Sequence, residues 1–414
     1  MSDKTLKDCC SFQEGYVNPS QTERDYFDGP IKWLRASDLN DGLVFNTEKT
    51  LSQKGFNSAG KSAFLFKKET ISISKSGTIG RLGILKDEMC GNRAVINIDV
   101  NKSQADLHYI FYLLKYKKNE IVRKAEGSIQ KNLYVSALET ISLNHTDTET
   151  QNQIASVLSS LDSKIALNNR INAELEAMAK TVYDYWFVQF DFPAPSPSGR
   201  AGEGSPYKSS GGKMVWCEEL KRDIPEGWGV KTLIELSNQI GDGLHGTPQY
   251  IENSEYNFIN GNNLKDGFIQ TDELTNKVTQ TEYEKYYIDL NRDSILLSIN
   301  GTLGNLAIYT NEKVLLGKSS AYINCKENHR AFCYLYLKQD QIQKSFWNIA
   351  TGSTIKNLSL ASLKNLKLVY PGIEIIKSFD KLIKPMDDKR ENIFKENQQL
   401  SSLRDWLLPM LMNG

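Results

Sequence analysis

Cysteine and histidine are scarce: six and four in 414 residues. None of Cys9, Cys10, Cys90, Cys217, Cys325 and Cys333 stands in a Cys-x-x-Cys pair, and the histidines complete no zinc spacing. So few thiols in so long a chain exclude a disulfide scaffold, and reduced, packed cysteines are expected. No apolar run approaches membrane-spanning length, and the opening residues, Met1 to Cys10, lack the apolar stretch of a signal peptide. A cytoplasmic protein is expected. Net charge is also absent, with 50 Lys and Arg against 50 Asp and Glu, so overall charge announces no nucleic-acid partner.

Catalytic signatures are missing too. There is no Gly-x-Ser-x-Gly elbow, no His-Glu-x-x-His, and no paired-glycine dinucleotide fingerprint in a βαβ setting. Neither Asn-Pro-Pro-Tyr nor Asp-Pro-Pro-Tyr occurs to hold a flipped base, and no PD…(D/E)xK nuclease cluster is evident. These absences point to a binding protein. One motif does match a catalytic pattern: Gly55-Phe56-Asn57-Ser58-Ala59-Gly60-Lys61-Ser62 fits GxxxxGK[ST]. A phosphate loop must follow a buried strand and open a helix. Glu48 to Lys54 are largely polar and Ser62 onward runs briefly into a strand-like segment, so the match reads as coincidence. A P-loop nucleotide-binding protein is the rival reading, and a coiled-coil scaffold that never touches DNA is a second.

What the chain does contain is itself, twice. Leu39–Gly42 (LNDG) recurs as Leu264–Gly267 (LKDG), Ser76–Gly80 (SGTIG) as Asn300–Gly304 (NGTLG), and Gly127–Leu133 (GSIQKNL) as Gly352–Leu358 (GSTIKNL), at offsets of 224 or 225. Three matches in one order describe a tandem duplication. Each half begins with short strands and turns, such as Thr70–Ser74 and Ile295–Ile299. A helical stretch follows (Leu107–Lys118; Ala331–Trp347), then the Gly-Ser loop, then a long helix with few breakers.

The long helices carry a seven-residue apolar frame. Ile154, Leu161, Asn168, Leu175 and Val182 share one seam position, and Val157, Lys164, Ile171, Met178 and Tyr185 the other. The second copy gives Phe379, Met386, Ile393, Leu400 and Leu407, with Leu382, Lys389, Glu396, Leu403 and Met410. Two matching stripes in one chain are expected to bury each other as an intramolecular coiled coil, Asn168 fixing register. Pro385 should kink the second helix or mark its true start. Between the halves, the Pro-, Ser- and Gly-rich run from Pro193 to Gly212 reads as an exposed linker.

Charge is distributed unevenly. Residues 75–131 carry eleven Lys and Arg against six Asp and Glu, and residues 300–356 carry seven against three. The basic candidates for DNA contact are Lys75, Arg81, Arg93 and Lys131 in the first half, and Lys318 and Lys356 in the second. The turn-rich run Gly241–Tyr250 adds His245, Thr247, Gln249 and Tyr250, side chains able to reach base edges or phosphates. Its counterpart, Gly15–Ser20, differs in nearly every residue, as two readers of different half-sites would.

Together, the paired Gly turns, the paired Gly-Ser loops, the Asp242–Tyr250 run and the C-terminal run Glu396–Gly414 resemble the specificity subunits of type I restriction-modification systems, over essentially the whole chain. The linker at 194–212 is longer than that family leads one to expect. The resemblance implies an α+β fold: two mixed α/β target-recognition domains in tandem repeat, separated and joined by two long helices forming an antiparallel coiled coil. The boundaries are then 1–146 and 216–371 for the domains, 147–190 and 372–414 for the helices, and 191–215 for the linker. It further implies double-stranded DNA with a bipartite target as ligand, two methyltransferase subunits and restriction/translocase subunits as partners, no catalysis by this chain, and S-adenosylmethionine, ATP and Mg on the partners alone.

Overall fold

A computed structural model describes residues 4–127, 131–145, 147–194, 204–352 and 356–413. The chain divides into two compact units, Met1–Asn168 with Glu396–Gly414, and Asn169–Lys395.

In the first unit two short runs of isoleucine, leucine and small residues make fully buried strands. Ile71–Ser74 and Leu82–Leu85 are buried at every position, as strands covered on both faces are. They sit in a five-stranded sheet ordered Cys10–Glu14, Val95–Val100, Ile71–Ser74, Leu82–Leu85, Gly42–Val44. All neighbours are antiparallel except the last pair. The helix Leu107–Tyr116, capped by the Asp106 carboxylate accepting from the Tyr109 N–H at 2.8 Å, buries seven side chains against the same core. Each large apolar one contributes about 1.5–3 kcal/mol.

The second unit repeats the plan. Its sheet runs Ser237–Asp242, Ser320–Cys325, Ser294–Ser298, Leu306–Ile308, all antiparallel. A parallel bridge, Gly267 to Ala307, stands where Gly42 pairs with Gly83 in the first unit. Each unit also has a smaller sheet with one parallel pair, Trp33–Leu34 on Cys90–Gly91 and Asn257–Ile259 on Val314–Leu316. Helix Arg330–Leu337 occupies the place of Leu107–Tyr116.

The long helices run Thr148–Tyr183 and Ile373–Asn413, and within each unit a piece of one packs antiparallel on a piece of the other. In the first unit Arg404 donates to Asp162 at 2.8 Å, and the Asn168 amide donates to Glu396 (2.8 Å) and Asn397 (2.9 Å). Asn168 is 1% exposed, the placement of a register-fixing polar seam residue. In the second unit Arg390 meets Glu176 at 3.1 Å, and the Phe379 ring meets those of Tyr183 and Phe187.

One seam position needs correction. Ile154, Leu161, Asn168, Leu175, Val182, Phe379, Met386, Ile393, Leu400 and Leu407 are all buried or half-buried. Most of the partner position is not: Val157, Met178, Tyr185, Leu382, Leu403 and Met410 are 39–53% exposed, Lys164 and Lys389 are exposed as well, and only Ile171 and Glu396 are half-buried. Their inward place is taken by the residues one further on, Leu158, Ala179, Trp186, Ile383 and Arg390. Steps of three and of four both recur every seven residues, so periodicity alone does not separate them. Pro385 marks no start, since helix continues for twelve residues before it, and it is itself exposed.

The ends of the inter-half segment are packed rather than free. The Phe192 ring stacks on Tyr207 at 4.8 Å and lies 4.8 Å from Trp228, and the Asp191 carboxylate accepts from Ser209. The run 195–203 lies outside the described residues, as do 128–130 and 353–355 of the two Gly-Ser loops.

Candidate nucleic-acid interface

Each duplicated motif builds the same hydrogen-bonded knot at the end of a buried strand. In the first unit the Ser74 hydroxyl donates to Thr78 O (2.5 Å) and accepts the Arg81 N–H (2.8 Å), while Gly80 N–H donates to Ser74 O (3.0 Å). In the second, the Ser298 hydroxyl donates to Thr302 O, and Gly304 N–H donates to Ser298 O (2.9 Å). Gly77 and Gly80 hold φ of +73° and +86°, Gly301 and Gly304 +75° and +91°, which explains glycine at both places in both copies. One residue on, Lys75 donates its N–H to Ala94 O (2.8 Å) and accepts from Leu133 N–H (2.8 Å). Ile299 does the same with Ser319 (2.9 Å) and Leu358 (2.8 Å).

This knot brings the basic candidates together within each unit. Lys75 and Arg81 lie on the turn, Arg93 adjoins Ala94, and Lys131 lies two residues before Leu133. In the second unit Lys318 adjoins Ser319, and the Lys356 carbonyl accepts the Gly301 N–H at 3.2 Å. Arg93 and Lys318 are thus equivalent, as are Lys131 and Lys356. Arg93, Lys131 and Lys318 are exposed; Arg81 and Lys356 are half-buried. Lys75 differs, because its ammonium is 2.8 Å from Glu14 with both side chains largely covered, an ion pair tying the turn to the first strand. Its second-unit counterpart, Ile299, is a buried apolar residue. Nothing in the local sequence marks Glu14 as that partner, since the contact spans 61 positions.

The polar loop of the second unit sits beside Lys318. Leu244 N–H donates to Leu316 O (2.7 Å), and Leu244 O accepts from Lys318 N–H (3.0 Å). A Cβ on Gly243 would lie 2.2 Å from Leu316 O, so the close approach requires glycine. His245 is exposed, its Nε2 held 2.6 Å from the Asp242 carboxylate. Thr247 and Gln249 are exposed, Pro248 is buried beneath them, and the half-exposed Tyr250 ring lies 5.7 Å from Phe258. The first-unit counterpart uses the same scaffold. Val17 N–H donates to Gly91 O (3.1 Å) and Val17 O accepts from the Trp33 indole (2.8 Å). Tyr16 and Asn18 are exposed, and the Glu14 carboxylate raises the Tyr16 phenol pKa. One scaffold therefore displays two unlike sets of donors and acceptors, Tyr16 and Asn18 against His245, Thr247 and Gln249.

Gly55–Ser62 has the wrong geometry for phosphate binding. The strand before it is two residues, Thr50–Leu51, and Gly55 lies within the five-residue helix Gln53–Asn57, packed where a Cβ would be 2.1 Å from Tyr26 O. Lys61 is in a separate three-residue turn, Gly60–Ser62. Among the described residues no group of His, Cys, Asp and Glu is placed to hold a metal ion, and no helix is long and apolar enough to cross a membrane.

The duplicated units, each a sheet-and-helix domain closed by paired helix segments and carrying one scaffolded polar loop, define a tandem recognition protein. Residues 1–177 and 225–401 both match the family described as type I restriction modification DNA specificity domain. The chain belongs to that family, as a DNA specificity subunit of a restriction-modification system. It is 26% identical over 426 residues to the type I restriction enzyme MjaIX specificity subunit of Methanocaldococcus jannaschii, covering 99% of this chain and 92% of that protein. It is 27% identical to the HindI specificity subunit of Haemophilus influenzae, covering 71% and 73%. The crystal structure of a type I restriction-modification S subunit from M. genitalium shares the fold, with a TM-score of 0.55 at 18% identity over 99% of this chain and 95% of that one.

Proposed function

We propose that each unit reads one half of a bipartite double-stranded DNA target in the cytoplasm, and that the chain performs no chemistry itself. The observation that carries this is the duplicated knot with its equivalent basic residues, flanked in each unit by a polar loop of unlike exposed side chains: a shared geometry positions, and divergent donors and acceptors specify. Two methyltransferase subunits then dock on the chain, with restriction/translocase subunits joining for cleavage. S-adenosylmethionine, ATP and Mg belong to those partners.

Support for two equal partners comes from the exposed apolar positions on the long helices. The first unit presents Val157 with Leu403 and Met410; the second presents Leu382 with Met178 and Tyr185. These are the same three positions of the duplication, so a partner fitting one set fits the other. Docked methyltransferases also supply phosphate-neutralising charge, which a chain of zero net charge leaves to them.

The test is methyl transfer to target DNA by the purified chain, with and without the methyltransferase subunit. No transfer alone, and transfer on adding the subunit, is expected. Transfer by the chain alone, unaffected by removing trace partner, would overturn the assignment.

A further inference from the structure

Each unit has a small satellite core away from its main one. In the first it comprises Val17, Trp33, Leu51 and Cys90, with Phe56, Ala59 and Ala63 packed against it. In the second it comprises Phe258, Val278 and Leu315, with Leu244, Tyr256, Tyr283 and Tyr286 against it. Val17 and Leu244 belong to the polar loops. Phe56 and Tyr283 belong to a short helix that follows the same two-residue strand in both units, Gln53–Asn57 and Gln280–Lys285. Both helices are capped alike, Ser52 accepting from Gly55 N–H and Thr279 from Glu282 N–H, each at 3.1 Å. The polar loop and the capped helix are therefore seated side by side on one core, twice.

The residues that continue from these helices are exposed and of nucleic-acid-binding type. In the first unit Ala59 and Ala63 anchor the turn on the satellite core while Lys61 between them is exposed; Phe64 and Leu65 are 48% and 45% exposed. Among the described residues Lys61 has no ion-pair partner. In the second unit Lys285 is exposed, Tyr287 is 55% exposed, and the Tyr256 and Tyr283 rings of the satellite core meet at 4.5 Å. Tyr287 meets Tyr283 edge-on at 5.7 Å and Lys285 lies over the Tyr286 ring and 3.8 Å from Glu282, yet large parts of Phe64, Leu65 and Tyr287 stay in water.

Resting on the DNA-reading assignment, we propose that residues 53–65 and 280–287 are a second DNA-contacting element in each unit, beside the polar loop. Lys61 and Lys285 contact phosphate; Phe64 and Tyr287 lie against sugar or base edges. The GxxxxGK[ST] match thereby acquires a use: Lys61 meets a phosphate of the DNA backbone, not of a nucleotide.

The experiment measures target affinity of the assembled subunit–methyltransferase complex as a function of salt. Lys61→Ala and Lys285→Ala are each expected to reduce the slope of log K against log salt by about one, with a loss of about threefold to tenfold at fixed salt, similar on target and non-target DNA. Tyr287→Ala removes no charge and is expected to weaken target binding by about threefold to tenfold with the slope unchanged. Thermal melting of each complex checks folding, and the charge reversal Lys61→Glu, at an exposed position, enlarges the effect in a folded protein. Unchanged affinity and slope in Lys61→Glu and Lys285→Ala overturn this proposal while leaving the DNA-reading assignment intact. A parent complex with no salt-dependent preference for its target overturns both.

Discussion

Exchanging residues 216–370 for the matching stretch of a relative with another target is expected to replace one half of the recognised sequence and leave the other unchanged. The basis is that the second unit's turn, Gly-Ser loop and polar loop are bonded to one another: Ser298 to Gly304, Ile299 to Ser319 and Leu358, Leu244 to Leu316. The first unit's set is closed in the same way on Ser74, Lys75 and Val17. Each mismatched base pair costs about 1–3 kcal/mol, so three exchanged positions at the low end already shift preference by about a hundredfold. The exchange must keep Phe332, whose ring packs 4.8 Å from Phe187 of the retained segment, and Trp228, 4.8 Å from Phe192. Selection of bound sequences from a random pool reads the outcome. Altered preference in both halves by a folded chimera contradicts one unit for one half-site.

Arg390→Met is expected to destabilise the second unit by about 3–5 kcal/mol, the cost of removing the cation shared by two largely buried carboxylates. Arg390 is 2% exposed and lies 3.1 Å from Glu176 and 3.5 Å from Asp387; Lys338 and the Tyr334 hydroxyl reach Glu176 at 2.8 Å, and Arg330 reaches Asp387 at 3.1 Å. Burial alone would raise the Glu176 pKa, but Arg390 and Lys338 more than reverse this and hold it below the usual value. Asp387 stays raised, burial outweighing Arg330 and Arg390. The signs follow from linkage. The depressed Glu176 contributes stability present above its unfolded pKa and lost as pH falls through the folded one, whereas the raised Asp387 favours the folded state as acid protonates it. Without Arg390 both carboxylates move upward. The deficit of Arg390→Met is therefore largest at neutral pH and shrinks on acidification toward the carboxylate range. Chemical denaturation from pH 7 down into the carboxylate range measures it; a deficit unchanged throughout contradicts the buried-ion account.

The duplication was the part of the architecture most plainly written in the sequence, because its glycines answer to backbone conformation. Gly77, Gly80, Gly301 and Gly304 persist at positive φ, where other residues are strained, while the polar loops around them diverged. The helix pairing was legible through Asn168 and the Ile154 frame, but its second seam was not. Leu158 and Ala179 lie inward where Val157 and Met178 were expected, and only contact with a folded domain distinguishes the two. The Glu14–Lys75 and Glu176–Arg390 pairs join distant positions that carry no local signal. The satellite cores were hidden for a related reason: Val17, Phe56 and Ala63 are ordinary apolar residues in polar segments until the chain brings them together.

Methylome sequencing of cells that express this chain with its methyltransferase subunit tests the two-reader account most directly. The account predicts one modified motif made of two specified segments separated by an unspecified spacer, present only when the chain is expressed. A single continuous motif, or the same split motif in cells that lack the chain, contradicts it.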